Sequence, residues 1–199
     1  MTDRFDGWIA GLGTRAGLRV VVGHWPRSPL GAFTDVMVER PDGHRVLLAP
    51  SDAVAEFVAA TYTFDDVRTA PVDAEVAGAH WRVTAGPLVV AFTVGGRTAL
   101  GLLLRAVPRA LATHPRWIGA VDVVARAVLP GVRTRGSAAG GRREYYGALD
   151  LHRLTEAAVR WDGADQGPLA PVSPPVRFGF GSTPRTPSLT RVVTLVQAG

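Results

Sequence analysis

The segment 28–50, SPLGAFTDVMVERPDGHRVLLAP, constrains most strongly what this chain can fold into. Its centre is Pro41-Asp42-Gly43, a triplet of residues that favour a tight turn. On both sides of that triplet apolar residues recur with a period of two, at Val36, Val38, Val46 and Leu48. Two alternating runs joined by a turn triplet predict a β-hairpin with at least one face turned to a core.

The first strand of this hairpin carries an acid beside an aromatic residue. Phe33 and Asp35 are two residues apart, and alternate side chains of a strand point to the same face. An acid on an apolar strand face indicates a pocket with a polar group in its wall. The alternative is an exposed Asp35 that pairs with Arg40 or Arg45. The residue pattern leaves both interpretations open.

Hydrophobic periodicity predicts a single β-rich domain over residues 1–199, of the α+β class with mainly antiparallel strands and two or three helices. Strands are predicted at residues 18–22, 67–75, 80–84, 88–94, 144–161 and 191–196, with a turn at Gly95-Gly96. Helices are predicted at residues 3–15 (an N-terminal helix within 1–16), at 52–62 behind an N-cap at Ser51, and at 117–128 after Pro115. Residues 99–107 fit a strand or a helix.

The composition excludes several kinds of chemistry. All 22 basic residues are arginine, and the chain has neither lysine nor cysteine. A Schiff-base lysine, a phosphate-loop lysine, a disulfide and a thiolate ligand are therefore excluded. The five histidines do not follow the spacing of a metal site, so we expect no metal and no cofactor.

Charge and hydropathy set expectations about partners and location. The net charge is +5, but the arginines are scattered without an aromatic-interleaved basic run, so we expect no nucleic-acid partner. The chain has no apolar run of the length that spans a membrane, and we expect a cytoplasmic protein with no membrane partner. A homo-oligomer is compatible with the sequence.

Three segments resemble the acetoacetate decarboxylase superfamily. Residues 18–22 followed by SPLGAFTDV are similar to a family strand and its Ser-x-Leu-Gly-x-aromatic-Thr-acid segment. HRVLLAPSDAVAEFVAATY resembles the next strand and helix, and Trp161-Asp162-Gly163 with Leu169-Ala170-Pro171-Val172 resembles a late Trp-x-Gly turn and Ala-Pro-Val segment. The resemblance implies a strongly bent antiparallel sheet, closed into a cone-shaped barrel around a small-molecule cavity.

The resemblance also implies which residues lie in the pocket. Asp35 matches a pocket glutamate and Tyr62 a pocket tyrosine, whereas Val20 replaces a second pocket acid. Phe64 stands where the family has its Schiff-base lysine, and Asp65 where a second lysine activates the first. This is the pattern of a divergent member without the amine nucleophile. We expect the ligand-binding residues to be Phe33, Asp35, Tyr62, Phe64, Arg143 and Tyr145, with Asp35 the best catalytic candidate.

Two function classes remain open. The first is a small-molecule-binding protein, or an enzyme of altered, non-Schiff-base chemistry, in which Asp35 acts as a general acid or base with Tyr145 or Tyr146. The second is a structural or protein-interaction domain whose cavity is filled by side chains. A concave pocket with Asp35 in its wall favours the first class.

The absence of lysine leads to a prediction about imine chemistry. Incubation of the protein with acetoacetate and borohydride should leave its mass unchanged, because no lysine amine is present to attack the ketone. Intact-mass spectrometry measures the outcome. A reduced adduct that peptide mapping places away from the N-terminal amine would contradict the prediction.

Overall fold

A computed structural model describes residues 2–114, 117–119, 135–137, 143–179 and 183–197. The strands in this part of the chain are β1 (Thr2–Thr14), β2 (Arg19–Arg27), β3 (Phe33–Glu39), β4 (Arg45–Ala49), β5 (Asp66–Thr69), β6 (Val72–Ala77), β7 (His80–Ala85), β8 (Leu88–Arg97), β9 (Arg135–Ser137), β10 (Arg143–Trp161), β11 (Ala164–Asp165), β12 (Leu169–Ala170) and β13 (Ser188–Gln197). The helices are α1 (Asp52–Ala59), α2 (Ala99–Ala106) and α3 (Arg109–Ala112). None of the described helices is long and apolar enough to cross a membrane.

All of these strands belong to one curled sheet. The hydrogen-bonded order is β5-β4-β3-β2-β1-β13-β10-β8-β7-β6, with β9 and β11 beside β10 and β12 beside β1. Neighbours are antiparallel except β4 and β5, which are parallel. The mainly antiparallel class is confirmed.

The expected closed cone is wrong in one respect, because the described strand order ends at β5 on one side and β6 on the other. These two edge strands are short and largely exposed, and they carry charged residues such as Arg68 and Glu75. Pairing them would bury part of this polar surface, so the sheet stays open at this seam.

The concave face of the curled sheet is filled by side chains. Although β2 and β7 are far apart in the strand order, the ring of Trp81 on β7 lies 5.4 Å from that of His24 on β2. Trp81 also lies 6.4 Å from Trp8 on β1, measured between ring centroids. The members of this core that are almost completely buried include Leu12, Leu18, Val20, Val22, Val36, Val38, Leu48, Leu88 and Val90. The fold therefore has its main core inside the curl.

The opposite face of the sheet is covered by α1 and by residues 172–178. Ser51 caps α1 by accepting a hydrogen bond from the Val54 amide, as the sequence predicts. The apolar face of α1 packs on the sheet, and two side chains of residues 172–178 pack beside it. The residues of this layer include Val21, Met37, Leu47, Val54, Ala55, Val58, Val172 and Val176. This second layer is where the candidate site lies.

A buried ion cluster attaches residues 172–178 to the sheet. Glu39, at the end of β3, is fully buried, and its Oε1 lies 3.3 Å from Nη2 of Arg19. The Arg177 side chain donates to the same oxygen at 3.1 Å, and its backbone amide donates to Oε2 at 2.7 Å. Since a buried carboxylate is stable only with such partners, Glu39 fixes where this segment crosses the sheet.

Several predicted elements are confirmed. The hairpin is β3–β4, closed by hydrogen bonds between Arg40 and His44 and between Gly43 and Arg40. The strands predicted at residues 80–84, 88–94, 144–161 and 191–196 all lie within observed strands, and the strand predicted at 18–22 is observed from Arg19 onward as β2. The ambiguous run 99–107 is helical as α2.

The predicted helix at residues 3–15 is wrong, because this segment is the strand β1. Phe5 and Ile9 pack on the α1 side of the sheet, whereas Trp8 and Leu12 pack inside the curl. A strand with apolar residues on both faces has apolar positions at spacings of three and four, which is also the helical pattern.

Two further predictions need correction. Gly95-Gly96 is not a turn, because β8 continues to Arg97, and a Cβ on Gly95 would lie 2.5 Å from the Thr155 side chain of β10. Residues 67–75 form parts of two strands, β5 and β6, separated at Pro71, which has no amide proton for a sheet. Of the helix predicted at 117–128, residues 117–119 are helical and the remainder lies outside the described residues.

The Glu39 cluster leads to a stability prediction. Glu39→Gln removes the buried charge and leaves Arg19, itself buried, without its counter-ion, so the free energy of unfolding should fall by about 3 kcal/mol or more. Denaturant unfolding measures this change. As a control, Asp66→Asn breaks a partly exposed ion pair with Arg68 and should cost less than about 1 kcal/mol. Equal, small effects of the two substitutions would contradict the role given to Glu39.

Candidate functional site

A small cavity lies between the outer face of the sheet and α1, with a volume of about 50 Å³. Most of its wall is apolar: Phe5, Ile9, Val21, Gly23, Trp25, Phe33, Met37, Phe57, Val58 and Val196. Its polar lining residues are Asp35, Thr61, Tyr62, Glu144, Tyr146 and Thr194. The cavity is thus outside the curl of the sheet, on the face that α1 covers.

Asp35 is the acid of this wall. It is only 4% exposed, and its Oδ1 accepts a hydrogen bond from Nε1 of Trp25 at 3.0 Å. Gly23, its partner on β2, makes room for this contact, because a Cβ there would lie 2.5 Å from Oδ1 of Asp35 and 2.6 Å from Nε1 of Trp25. Desolvation raises the pKa of Asp35 to about 7, and the hydrogen bonds from Trp25 and from the Asp35 backbone offset only part of that rise.

Two tyrosines and a glutamate form the second polar group of the cavity. Glu144 and Tyr146 are two residues apart on β10 and face the cavity together, and Tyr62 reaches them from the turn after α1. The Tyr62 hydroxyl donates to Oε2 of Glu144 at 3.1 Å and also contacts the Tyr146 hydroxyl. Burial is the main cause that raises the pKa of both phenols well above 10; the interaction with Tyr146 comes next for Tyr62, and the charge of Glu144 comes next for Tyr146. Both therefore stay protonated at neutral pH, as hydrogen-bond donors.

Thr194 supplies a buried hydroxyl to the cavity wall. It lies on β13 opposite Tyr146 and is 4% exposed. Its buried Oγ1 has no hydrogen-bond partner among the described residues. A buried hydroxyl without a partner is costly, so one that faces a cavity indicates a group that binds there.

Three of the residues expected in the pocket line this cavity: Phe33, Asp35 and Tyr62. The alternative of an exposed Asp35 paired with Arg40 or Arg45 is wrong. Arg40 pairs instead with Asp42 at 3.2 Å, and Arg45 with Asp65 at 2.8 Å.

Two other expected residues lie elsewhere. Phe64 packs against Phe178, with ring centroids 5.7 Å apart, and is not part of the lining. Tyr145 packs with Val193 and Leu195 on the opposite face of the sheet, because neighbouring residues of a strand point opposite ways. Arg143 begins β10, and its side chain lies outside the described part of the chain.

Sequence reasoning missed Glu144 and Thr194. The pair Glu144 and Tyr146 repeats the pattern of Phe33 and Asp35, an acid and an aromatic residue two positions apart on a strand. That pattern could have indicated Tyr146 rather than Tyr145 as the cavity tyrosine. For Thr194 the sequence offers no signal, because its significance depends on a missing hydrogen bond.

The polar groups of the lining are carboxyl groups and neutral hydroxyl groups. It contains two carboxyl groups and, among the described residues, no arginine or histidine. An anion would be repelled or left without a counter-ion in such a site. Within the described residues, no group of three or more acidic or histidine side chains is arranged to hold a metal ion.

Comparisons with known proteins assign no activity. No family model matches the chain. The tRNA-specific 2-thiouridylase MnmA of Rhodospirillum centenum is 26% identical over 190 residues, which cover 90% of this chain but 44% of that protein, so the chain spans less than half of its length. Acetoacetate decarboxylase from Legionella pneumophila aligns with a TM-score of 0.45 and 10% identity, over 100% of this chain and 85% of that structure.

The burial of Asp35 should make stability depend on pH. An aspartate in an unfolded chain has a pKa of about 3.9. Between that value and about 7, the folded chain binds a proton that the unfolded chain has lost. The stabilising contribution of Asp35 is therefore complete below about pH 4 and decreases as the pH rises toward and through 7. Asp35→Asn cannot titrate and keeps an acceptor for Trp25, so from about pH 4 to about pH 8 the wild type should lose roughly 2–4 kcal/mol relative to the variant.

Denaturant unfolding of both proteins across this pH range provides the measurement. Asp73→Asn, at an exposed position of β6, serves as the control and should follow the wild-type curve. Parallel curves for wild type and Asp35→Asn would contradict the raised pKa.

Proposed function

We propose that this chain is a small-molecule-binding protein, and that its ligand is a compact, largely apolar molecule without negative charge held beside Asp35. The observation that carries the proposal is a cavity with an apolar wall and buried polar groups, including the unpartnered Thr194 hydroxyl. Binding sites for small molecules combine these two features.

The polar groups of the lining determine which hydrogen-bond donors and acceptors the ligand carries. Thr194 can donate or accept one hydrogen bond, and Asp35 can donate one when protonated and accept one when ionised. The phenols of Tyr62 and Tyr146 already contact Glu144, so they act chiefly to keep that carboxylate solvated. A small alcohol, ketone or amine fits this set of donors and acceptors.

The cavity volume limits the size of the ligand. About 50 Å³ is room for roughly three to five water molecules, hence for a ligand of a few non-hydrogen atoms. Larger ligands would require α1, which carries Phe57 and Val58 of the wall, to move away from the sheet.

A catalytic role for the same site has one specific observation in its favour. A carboxyl group with a pKa of about 7 exists in both protonation states at neutral pH, which is the property of an effective general acid or base. The reaction would be a proton transfer to or from an uncharged substrate, with Asp35 holding the proton on Oδ1 or Oδ2. No imine is involved, since the chain has no lysine.

The competing interpretation, a structural or interaction domain, is favoured by the filled concave core and by the small size of the cavity. Three probes of nearly equal size separate the interpretations: acetone, 2-propanol and acetate. Titrations of isotope-labelled protein, followed by NMR, should show saturable shifts at Val21, Met37 and Val58 with acetone and 2-propanol but not with acetate.

Matched variants locate the site. Thr194→Val keeps the shape of the side chain but removes its hydroxyl, and it should weaken 2-propanol binding by about tenfold. Ser188→Ala removes another buried, unpartnered hydroxyl from the same strand, outside the cavity, and should leave binding unchanged. If neither neutral probe perturbs the cavity residues, the binding proposal fails and the interaction domain becomes the better account.

A further inference from the structure

A second polar centre, independent of the cavity, surrounds Asp6. This residue follows Phe5 on β1 and points to the opposite face of the strand. It is 6% exposed and lies near four guanidinium groups, those of Arg4, Arg27, Arg109 and Arg191. Among the described residues, one carboxylate faces these four guanidiniums, so three of the four positive charges have no carboxylate of their own.

Arg191 is the structural member of this group. It binds Oδ1 of Asp6, donates to the backbone oxygens of Gly7 and Val192, and lies over the ring of Trp8 at 5.2 Å from its centroid. Its side chain is only 20% exposed. Asp6 and Arg191 therefore neutralise one another as a buried pair, and the surplus charge belongs to the other three arginines.

Those three arginines are exposed and incompletely bonded. The Arg109 Nη2 donates to Oδ2 of Asp6 at 2.5 Å, whereas Nη2 of Arg27 and of Arg4 lie 3.6 Å and 3.9 Å from that oxygen, beyond hydrogen-bond distance. The three side chains are 55%, 74% and 47% exposed. No described residue accepts a hydrogen bond from Arg4 or Arg27, so most of their donors are available to a ligand.

These side chains meet around a shallow depression that is open to the surface. With Asp6 and Ser28 they line an open cleft of about 420 Å³, which is within the usual size range of small-molecule sites. The arginines come from distant parts of the chain: β1, the end of β2 and the start of α3. The curl of the sheet and the placement of α3 bring them together.

We propose that the cleft of Arg4, Arg27 and Arg109 around Asp6 binds the phosphate group of a small molecule. Planar guanidiniums donate paired hydrogen bonds to phosphate oxygens, and the three positive charges are more than enough to neutralise a phosphate dianion. The Asp6 carboxylate accepts a hydrogen bond from Nη2 of Arg109 and so holds this guanidinium at the cleft. A single cleft suits one phosphate group, whereas a nucleic acid needs a continuous track of basic residues.

The test uses inorganic phosphate as the probe at low ionic strength, with the NMR signals of the arginine Nε–H groups as the readout. In the wild type, the signals of Arg27 and Arg109 should shift saturably. Arg27→Gln, at a largely exposed side chain, should weaken the affinity by about tenfold. Arg68→Gln removes an exposed arginine of β5 that is not part of the cleft lining, and it should leave the affinity unchanged.

Each other outcome overturns the proposal. Absence of saturation in the wild type contradicts a phosphate site, whether or not any variant folds. An equal loss in Arg27→Gln and Arg68→Gln shows a general charge effect. A single-stranded oligonucleotide without terminal phosphates is the second probe: if it binds the wild type tightly and Arg27→Gln abolishes that binding, the cleft serves a nucleic-acid backbone instead.

Discussion

The fold depends on the burial of both faces of its central strands. In β2, Val20 and Val22 face the inside of the curl and Val21 faces α1, and all three are buried. A strand with two apolar faces is stable only if both are covered. The sheet covers one by curling onto itself, and α1 with residues 172–178 covers the other. The Glu39 cluster then holds residues 172–178 against the sheet.

The candidate site is the cavity that remains between α1 and the outer face of the sheet. Asp35 lies on a strand that is buried on both faces, where a carboxylate is costly, and among the described residues its side-chain partner is the Trp25 indole. Burial also raises the pKa of the two lining tyrosines, Tyr62 and Tyr146, which keeps them neutral. The cavity therefore presents two protonated phenols and two carboxyl groups, those of Asp35 and Glu144, whereas the arginine cleft at Asp6 lies on the opposite face of the sheet.

The sequence predicted the local features and not the long-range ones. The β3–β4 hairpin and the Ser51 cap depend on neighbouring residues, so turn chemistry and periodicity were sufficient. On β1 and around Tyr145, apolar residues occupy both faces of a strand. The hydrophobic pattern then shows neither which face a side chain lies on nor whether the segment is a strand or a helix. The contact of Asp6 with Arg109 joins residues 103 positions apart and requires the folded sheet.

The central claim is that Asp35 is a buried acid in the wall of a cavity. The most direct measurement is a titration of its side-chain carboxyl carbon by ¹³C NMR from about pH 3 to about pH 9, with Asp35→Asn used to assign the signal. A midpoint near pH 7 is the result that the structure predicts. A midpoint near about pH 4, as for a solvated aspartate, would contradict both the burial of Asp35 and the site built on it.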